Sequence, residues 1–264
     1  MQIDKSSMKS LLHCKYRGFV GLIAVMVPLM VATGFDAQSK SAQEKIQYAH
    51  LLSPEMLGVD INGLGQSLQK RVAPSYPFSV DGMMFLNGEP ERLCCSFDKE
   101  ALPKWVNYDQ RQIIVYPIKQ YRELFTKAKQ LNEFDKRVTF MKKALNTGKV
   151  GAGEISVFPS VDACQLFRAK VQFLDFKGGR GVRFISRYCT DVSPTTADSI
   201  FYTFQGMTAN QKYWVSVFFP LRADGLKATT DASISKRLLD SRSPNQFKPD
   251  LNKLDALVRS ISIF

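Results

Sequence analysis

Between Arg168 and Pro220 the chain reads RAKVQFLDF-KGGR-GVRFISRYC and, after a polar loop, SIFYTFQGM-TANQ-KYWVSVFFP. Four segments rich in aromatic and β-branched residues are separated by turn-like tetrads, the pattern of two β-hairpins in tandem. Such a meander commits the chain to an antiparallel sheet. In its last two segments Tyr202 and Phe204 alternate with Phe201 and Thr203, while Tyr213, Val215, Val217 and Phe219 alternate with Trp214, Ser216 and Phe218. Large apolar side chains fall on both faces, so the sheet is expected to be covered on both sides, and helices must supply the cover.

The candidates for that cover are legible from their period. After Pro117, residues Ile118, Tyr121, Leu124, Phe125, Ala128, Leu131, Phe134, Val138, Met141 and Leu145 recur at three- and four-residue steps. They form the apolar face of one long helix, or of two broken near Asn132, with Pro117 suited to the first turn and Gly148 to the stop. A second helix is expected from Pro249-Asp250 through Leu251, Leu254, Leu257, Val258 and Ile261, and a weaker one around Ile234 to Leu239. Arg92 to Phe97 and Gln112 to Tyr116 read as further strands. Ala163 to Phe167, behind Asp162 as a cap, reads as a short helical entry, and Leu51 to Pro77 as loop with short extended pieces. The expectation is one α+β domain over 59–264, an antiparallel sheet of about six strands with helices packed on its faces, preceded by a polar tether over 35–58.

Residues 1–34 place Lys5, Lys9, Lys15 and Arg17 before the apolar run Phe19 to Val31, followed by Ala32-Thr33-Gly34. That is the layout of a cleaved signal peptide, and the run is short against the about 20 apolar residues of a membrane span. Export to a periplasmic or extracellular location is the expectation, with an uncleaved N-terminal membrane anchor as the alternative. The whole chain carries a formal charge of +12, and residues 1–34 hold four Lys/Arg against one Asp, which leaves +9 without them. A basic surface outside the cytoplasm suits anionic lipid, glycan or cell-wall polymer rather than nucleic acid. On the expected helix the polar face holds Lys119, Arg122, Lys127, Lys129, Lys136, Arg137, Lys142 and Lys143 against Glu123, Glu133 and Asp135. It reads either as a solvated face or as an anionic-surface footprint.

Of two histidines, His13 lies in the leader and His50 in the tether. A Ser-His-Asp or Cys-His nucleophile system would need His50 to reach the sheet, a histidine metal cluster cannot be built from one ligand, and no cofactor is expected. Hydrolysis by paired carboxylates stays chemically open. Lys177-Gly178-Gly179-Arg180-Gly181 lacks the spacing of phosphate-cradling loops and joins strand to strand, so it reads as a glycine-rich turn. Lys177, Arg180, Arg183 and Arg187 would make an anion-binding patch if they shared a face, with Asp191 and Thr195 of the neighbouring hydroxyl-rich loop beside them. Gln205 and Trp214 would make a stacking site if exposed, and core if not. Cys94 or Cys95 could each pair with Cys164 or Cys189 in an oxidising compartment, a Cys164–Cys189 bridge would clamp the first hairpin, and all four could instead be small buried hydrophobes.

Three runs carry a family resemblance. They are Phe176-x-x-Gly179-x-Gly181-Val182-Arg183-Phe184, then Tyr202-x-Phe204-Gln205-Gly206-Met207-Thr208 with Tyr213-Trp214-Val215-Ser216, then Phe247-x-Pro249-Asp250-Leu251-x-x-Leu254-Asp255-Ala256-Leu257-Val258-x-Ser260-Ile261. Over residues 92–264 the chain resembles an uncharacterised family of secreted bacterial proteins, common in cyanobacteria. The resemblance implies export but brings no activity and no catalytic residues, and this chain departs from it in Cys94-Cys95 and its many lysines. More loosely, Tyr213 to Phe219, Asp250 to Arg259 and Ser260 to Phe264 are similar to the closing hairpin, helix and apolar segment of PsbP-type domains, a likeness of fold alone.

Overall fold

The computed structural model describes residues 52–264 apart from 62, 79–87, 99, 102–107, 152, 154 and 160–162. The expected signal peptide and most of the expected tether lie outside the described residues. The strands are β1 (Leu57–Gly58), β2 (Leu68–Ala73), β3 (Arg92–Phe97), β4 (Gln112–Pro117), β5 (Cys164–Gln165), β6 (Ala169–Phe176), β7 (Gly179–Ser186), β8 (Tyr188–Cys189), β9 (Ile200–Thr208), β10 (Tyr213–Leu221) and β11 (Ser262–Ile263). The helices are α1 (Ile118–Lys127), α2 (Leu131–Thr147), α3 (Ala232–Asp240) and α4 (Leu251–Ser260).

Both predicted hairpins form, β6–β7 and β9–β10, and they join a seven-stranded antiparallel sheet in the order β2-β3-β4-β10-β9-β7-β6. The fold is α+β, with one strand more than the six expected. The addition is β2, an edge strand whose Gln69, Lys70 and Arg71 are exposed and so show no apolar alternation. The end of the expected tether also enters the fold, because Leu57 and Gly58 pair with Ile263 and Ser262.

The two-sided apolar pattern becomes two cores. On the front face Leu93, Cys95, Ile113, Val115, Val215, Val217, Phe219, Tyr202, Phe204 and Ile185 meet Leu239 of α3 and Leu251, Leu254, Leu257 and Val258 of α4. On the back face Ile114, Tyr116, Trp214, Phe218, Phe201, Val182 and Phe184 meet Tyr121 and Phe125 of α1 and Phe134, Val138 and Met141 of α2. The long apolar period is therefore two helices, broken at residues 128–130 where Lys129 takes a left-handed φ of 58°. Gly148 ends α2 in the same region, at φ 64°, which glycine adopts without strain. The predicted helix at 163–167 does not form. Cys164 and Gln165 instead ladder onto Cys189 and Tyr188, a pairing too short to leave a period in the sequence.

Candidate functional site

Along β7 the side chains alternate between faces, so residues three apart point opposite ways. Arg180 is exposed on the back side, where its guanidinium sits 5.4 Å over the Phe173 ring and 3.3 Å from Asp175. Arg183 turns to the front and is buried under α4, donating to Asp255 from Nε at 3.0 Å and from Nη2 at 2.9 Å. Its remaining donors go to the Lys170 carbonyl and the Gln172 side chain. Lys177 is exposed at the hairpin tip, with its backbone N–H donating to the Ile261 carbonyl at 2.9 Å. The four cations thus do not share a face, which corrects the geometry expected of a patch.

Arg187 does meet the two loop residues grouped with it. It is buried, donates from Nη1 to the Ser193 carbonyl at 2.8 Å and to Thr195 Oγ1 at 3.4 Å, and donates from Nη2 to Ser193 Oγ. Ser193 in turn donates to Asp191 at 2.8 Å, and Thr195 exchanges backbone hydrogen bonds with Thr229. The guanidinium is spent fastening the loop.

The glycine-rich turn is geometry. Gly178 has φ 95°, and a Cβ on Gly181 would come within 2.4 Å of the Phe204 ring and 2.5 Å of the Gln205 carbonyl. Gln205 and Trp214 are both fully buried, as core rather than stacking site. Gln205 Oε1 accepts from Trp214 Nε1 at 2.9 Å, Ser216 Oγ at 3.0 Å and the Phe158 N–H at 3.1 Å, which satisfies a segment crossing the back face.

A second buried ion pair escaped the sequence reading. Glu89 is 1% exposed; its carboxylate accepts from Tyr116 at 2.7 Å and from Tyr76, and Arg92 Nε lies 2.7 Å away but out of line to donate. Burial, reinforced by the Glu89 charge, holds the Tyr116 phenol well above its ordinary pKa. The available signal was the Glu-x-x-Arg spacing at the entrance of an apolar strand. Asp255 belongs to the front face and Glu89 to the back, so these two buried carboxylates do not confront one another.

The outside of the α1–α2 hairpin is exposed and strongly charged. Residues 118–149 hold nine Lys/Arg against three Asp/Glu, a net of +6, whereas α3 and α4 together hold four against two. Two of the three acids are engaged by Arg122–Asp135 at 3.1 Å and Lys136–Glu133 at 2.8 Å. Lys119, Lys127, Lys129 and Lys143 are exposed and form no ion pair among the described residues. Near the end of the hairpin, Val150, Arg168, Val171, Phe173, Lys236 and Asp240 line an open cleft of about 400 Å³. Two cations face one carboxylate there, and that carboxylate is already engaged by Lys236.

Among the described residues no helix is long and apolar enough to cross a membrane, and no group of three or more His, Cys, Asp or Glu is placed to hold a metal ion. Comparison of the chain with models of known families, with curated proteins and with solved structures finds no match.

Proposed function

We propose that the protein is an exported, non-catalytic binding protein of the cell envelope that holds an anionic partner (lipid, glycan or cell-wall polymer) against the exposed face of the α1–α2 hairpin. The observation that carries this reading is the net +6 of residues 118–149, displayed on a helical pair whose opposite face is tied into the core. Such a surface attracts polyanions by summed charge and needs no specific pocket. The open cleft beside it, with two cations against one engaged carboxylate, supports the same reading. Hydrolysis by paired carboxylates would need two acids flanking one bond, and the buried Glu89 and Asp255 lie on opposite faces with an arginine each.

The test is cosedimentation with vesicles of phosphatidylglycerol against phosphatidylcholine, and retention on an anionic polysaccharide. Binding to an anionic probe is expected, and it should weaken steeply with salt, because the screening length shortens from about 30 Å at 0.01 M to about 8 Å at 0.15 M. Replacing Lys119, Lys127, Lys129 and Lys143 by Glu should abolish binding. The unfolding midpoint should barely move, since exposed substitutions cost about 0.5 kcal/mol or less each. Equal affinity for neutral and anionic vesicles, or retention indifferent to salt, would sink the proposal.

A further inference from the structure

The geometry points to a disulfide between Cys164 and Cys189 as the modification this fold is built to take, leaving Cys94 and Cys95 as thiols. Cys164 and Cys189 are direct Cα partners in the antiparallel β5–β8 ladder. Directly opposed residues in such a ladder have Cα atoms about 4.5–5.5 Å apart, inside the roughly 4.4–6.8 Å that a disulfide spans. Both residues are partly exposed, so an oxidant reaches them without unfolding.

The other two cysteines are placed against it. Cys94 and Cys95 are neighbours on β3 and therefore point to opposite faces of the sheet, Cys94 into the back core and Cys95 into the front. Neither can bridge the other, and neither has a cysteine partner across its ladder, since they face Arg71 and Lys70 on β2 and Ile114 and Ile113 on β4. Burial also pushes their thiols up, to about 11 and about 12, so the thiolate needed for exchange is scarce.

The bridge would reinforce a join that polar contacts already make. Gln165, beside Cys164, accepts from the Ile155 N–H at 3.0 Å and donates to the Tyr188 hydroxyl at 2.9 Å. Ile155 leads into Val157 and Phe158, the segment that Gln205 and Ser216 hold over the back face. On the other side, Cys189 follows Arg187 and precedes the loop that Arg187 fastens. A covalent link at this point ties the segment covering the back core to the loop at the end of the meander.

The reaction is thiol–disulfide exchange with a small-molecule or protein disulfide. One thiolate attacks that disulfide to give a mixed disulfide and one released thiol. The second thiolate then displaces the other half, so the two cysteines are oxidised to one S–S bond and the donor disulfide is reduced to two thiols.

The experiment is peptide mapping of the folded full chain after incubation with oxidised glutathione, with alkylation before and after unfolding. The expected result is one cross-linked product joining the peptides of Cys164 and Cys189, with Cys94 and Cys95 alkylated only after unfolding; Cys14, where retained, is read on its own peptide. Closure of the loop between the two positions should raise Tm by about 5–10 °C. Reductant should reverse that gain, and the Cys164→Ser/Cys189→Ser protein should show no response to reductant. Stable glutathione adducts on both residues without ring closure, a bridge to Cys94 or Cys95, or no oxidation at all would each overturn the inference.

Discussion

The front face of the sheet buries a mainly aliphatic core and the back face one richer in aromatic rings, and each contains an arginine–carboxylate pair of a different build. On the front, Arg183 and Asp255 are 72 residues apart and join strand β7 to helix α4 through two parallel hydrogen bonds, with Tyr202 donating to the same carboxylate at 3.1 Å. On the back, Glu89 and Arg92 are three residues apart, and the carboxylate's aligned donors are the tyrosines rather than the arginine. The front pair is thus a clamp between a strand and a helix, whereas the back pair anchors the entrance of β3 to Pro74, Tyr76 and Tyr116. The outer surfaces differ as well, with the back helices carrying the concentrated positive charge. A face locked by a long-range clamp suits a scaffold, and a face whose helices display charge suits contact.

The sharpest way to break this comparison is Asp255→Ala. It leaves Arg183 charged and buried without its partner, and should cost about 3–5 kcal/mol in urea unfolding. The Arg183→Met/Asp255→Leu double variant removes both charges and should recover part of that loss, because no buried charge is then left unpaired, the remainder reflecting the Tyr202 hydroxyl that loses its acceptor. If the single variant loses no more than an exposed pair would, the front face is not clamped as described.

Glu89→Gln should cost less, about 2–3 kcal/mol, because Arg92 keeps contact with the Pro74 carbonyl at 3.0 Å and the Pro90 carbonyl at 3.4 Å, while one of Tyr76 and Tyr116 keeps the amide oxygen as acceptor and the other can turn its hydroxyl to accept from the new amide N–H. The measurement is again the urea midpoint, at unchanged slope. A loss equal to that of Asp255→Ala would erase the distinction between a clamp and an anchor.

The contrast also explains what could be read in advance. The meander, the two back helices and α4 were legible because burying one face imposes a period of two or of about 3.6 on side chains such as Val215, Val217 and Phe219, or Tyr121, Phe125 and Phe134. Edge strand β2 was not, since Gln69, Lys70 and Arg71 face solvent and carry no alternation. The β5–β8 ladder is two residues long and has no period at all. For the candidate site, the basic stripe on 118–149 was visible because helical spacing sorts it from the apolar positions. The arginine patch failed for the converse reason. Arg180, Arg183 and Arg187 are close in sequence, but strand geometry separates the first two, and the roles of Arg183 and Arg187 are set by Asp255 and Ser193, which no spacing rule connects to them.

The smallest expected effect lies at the rim, where Asp224 accepts from Arg222 at 2.5 Å and from Lys248 at 2.7 Å. These hydrogen bonds and the two positive charges hold the Asp224 carboxyl down at about 2, against an ordinary value of 3.8. Because the folded value is the lower one, ionised Asp224 favours the native state, fully above pH 3.8 and decreasingly as the pH falls through about 2. The group is exposed and its ion pairs are screened, so the effect should be slight and diminished by salt. Comparing thermal midpoints of the protein and its Asp224→Asn variant should therefore show a small gap at neutral pH that closes by about pH 2. A gap that persists in acid would mean that neutral hydrogen bonding rather than charge holds Arg222 and Lys248 together. No gap at neutral pH would make the ion pairs of Asp224 with Arg222 and Lys248 energetically silent, in contrast to the buried clamp of Arg183 and Asp255.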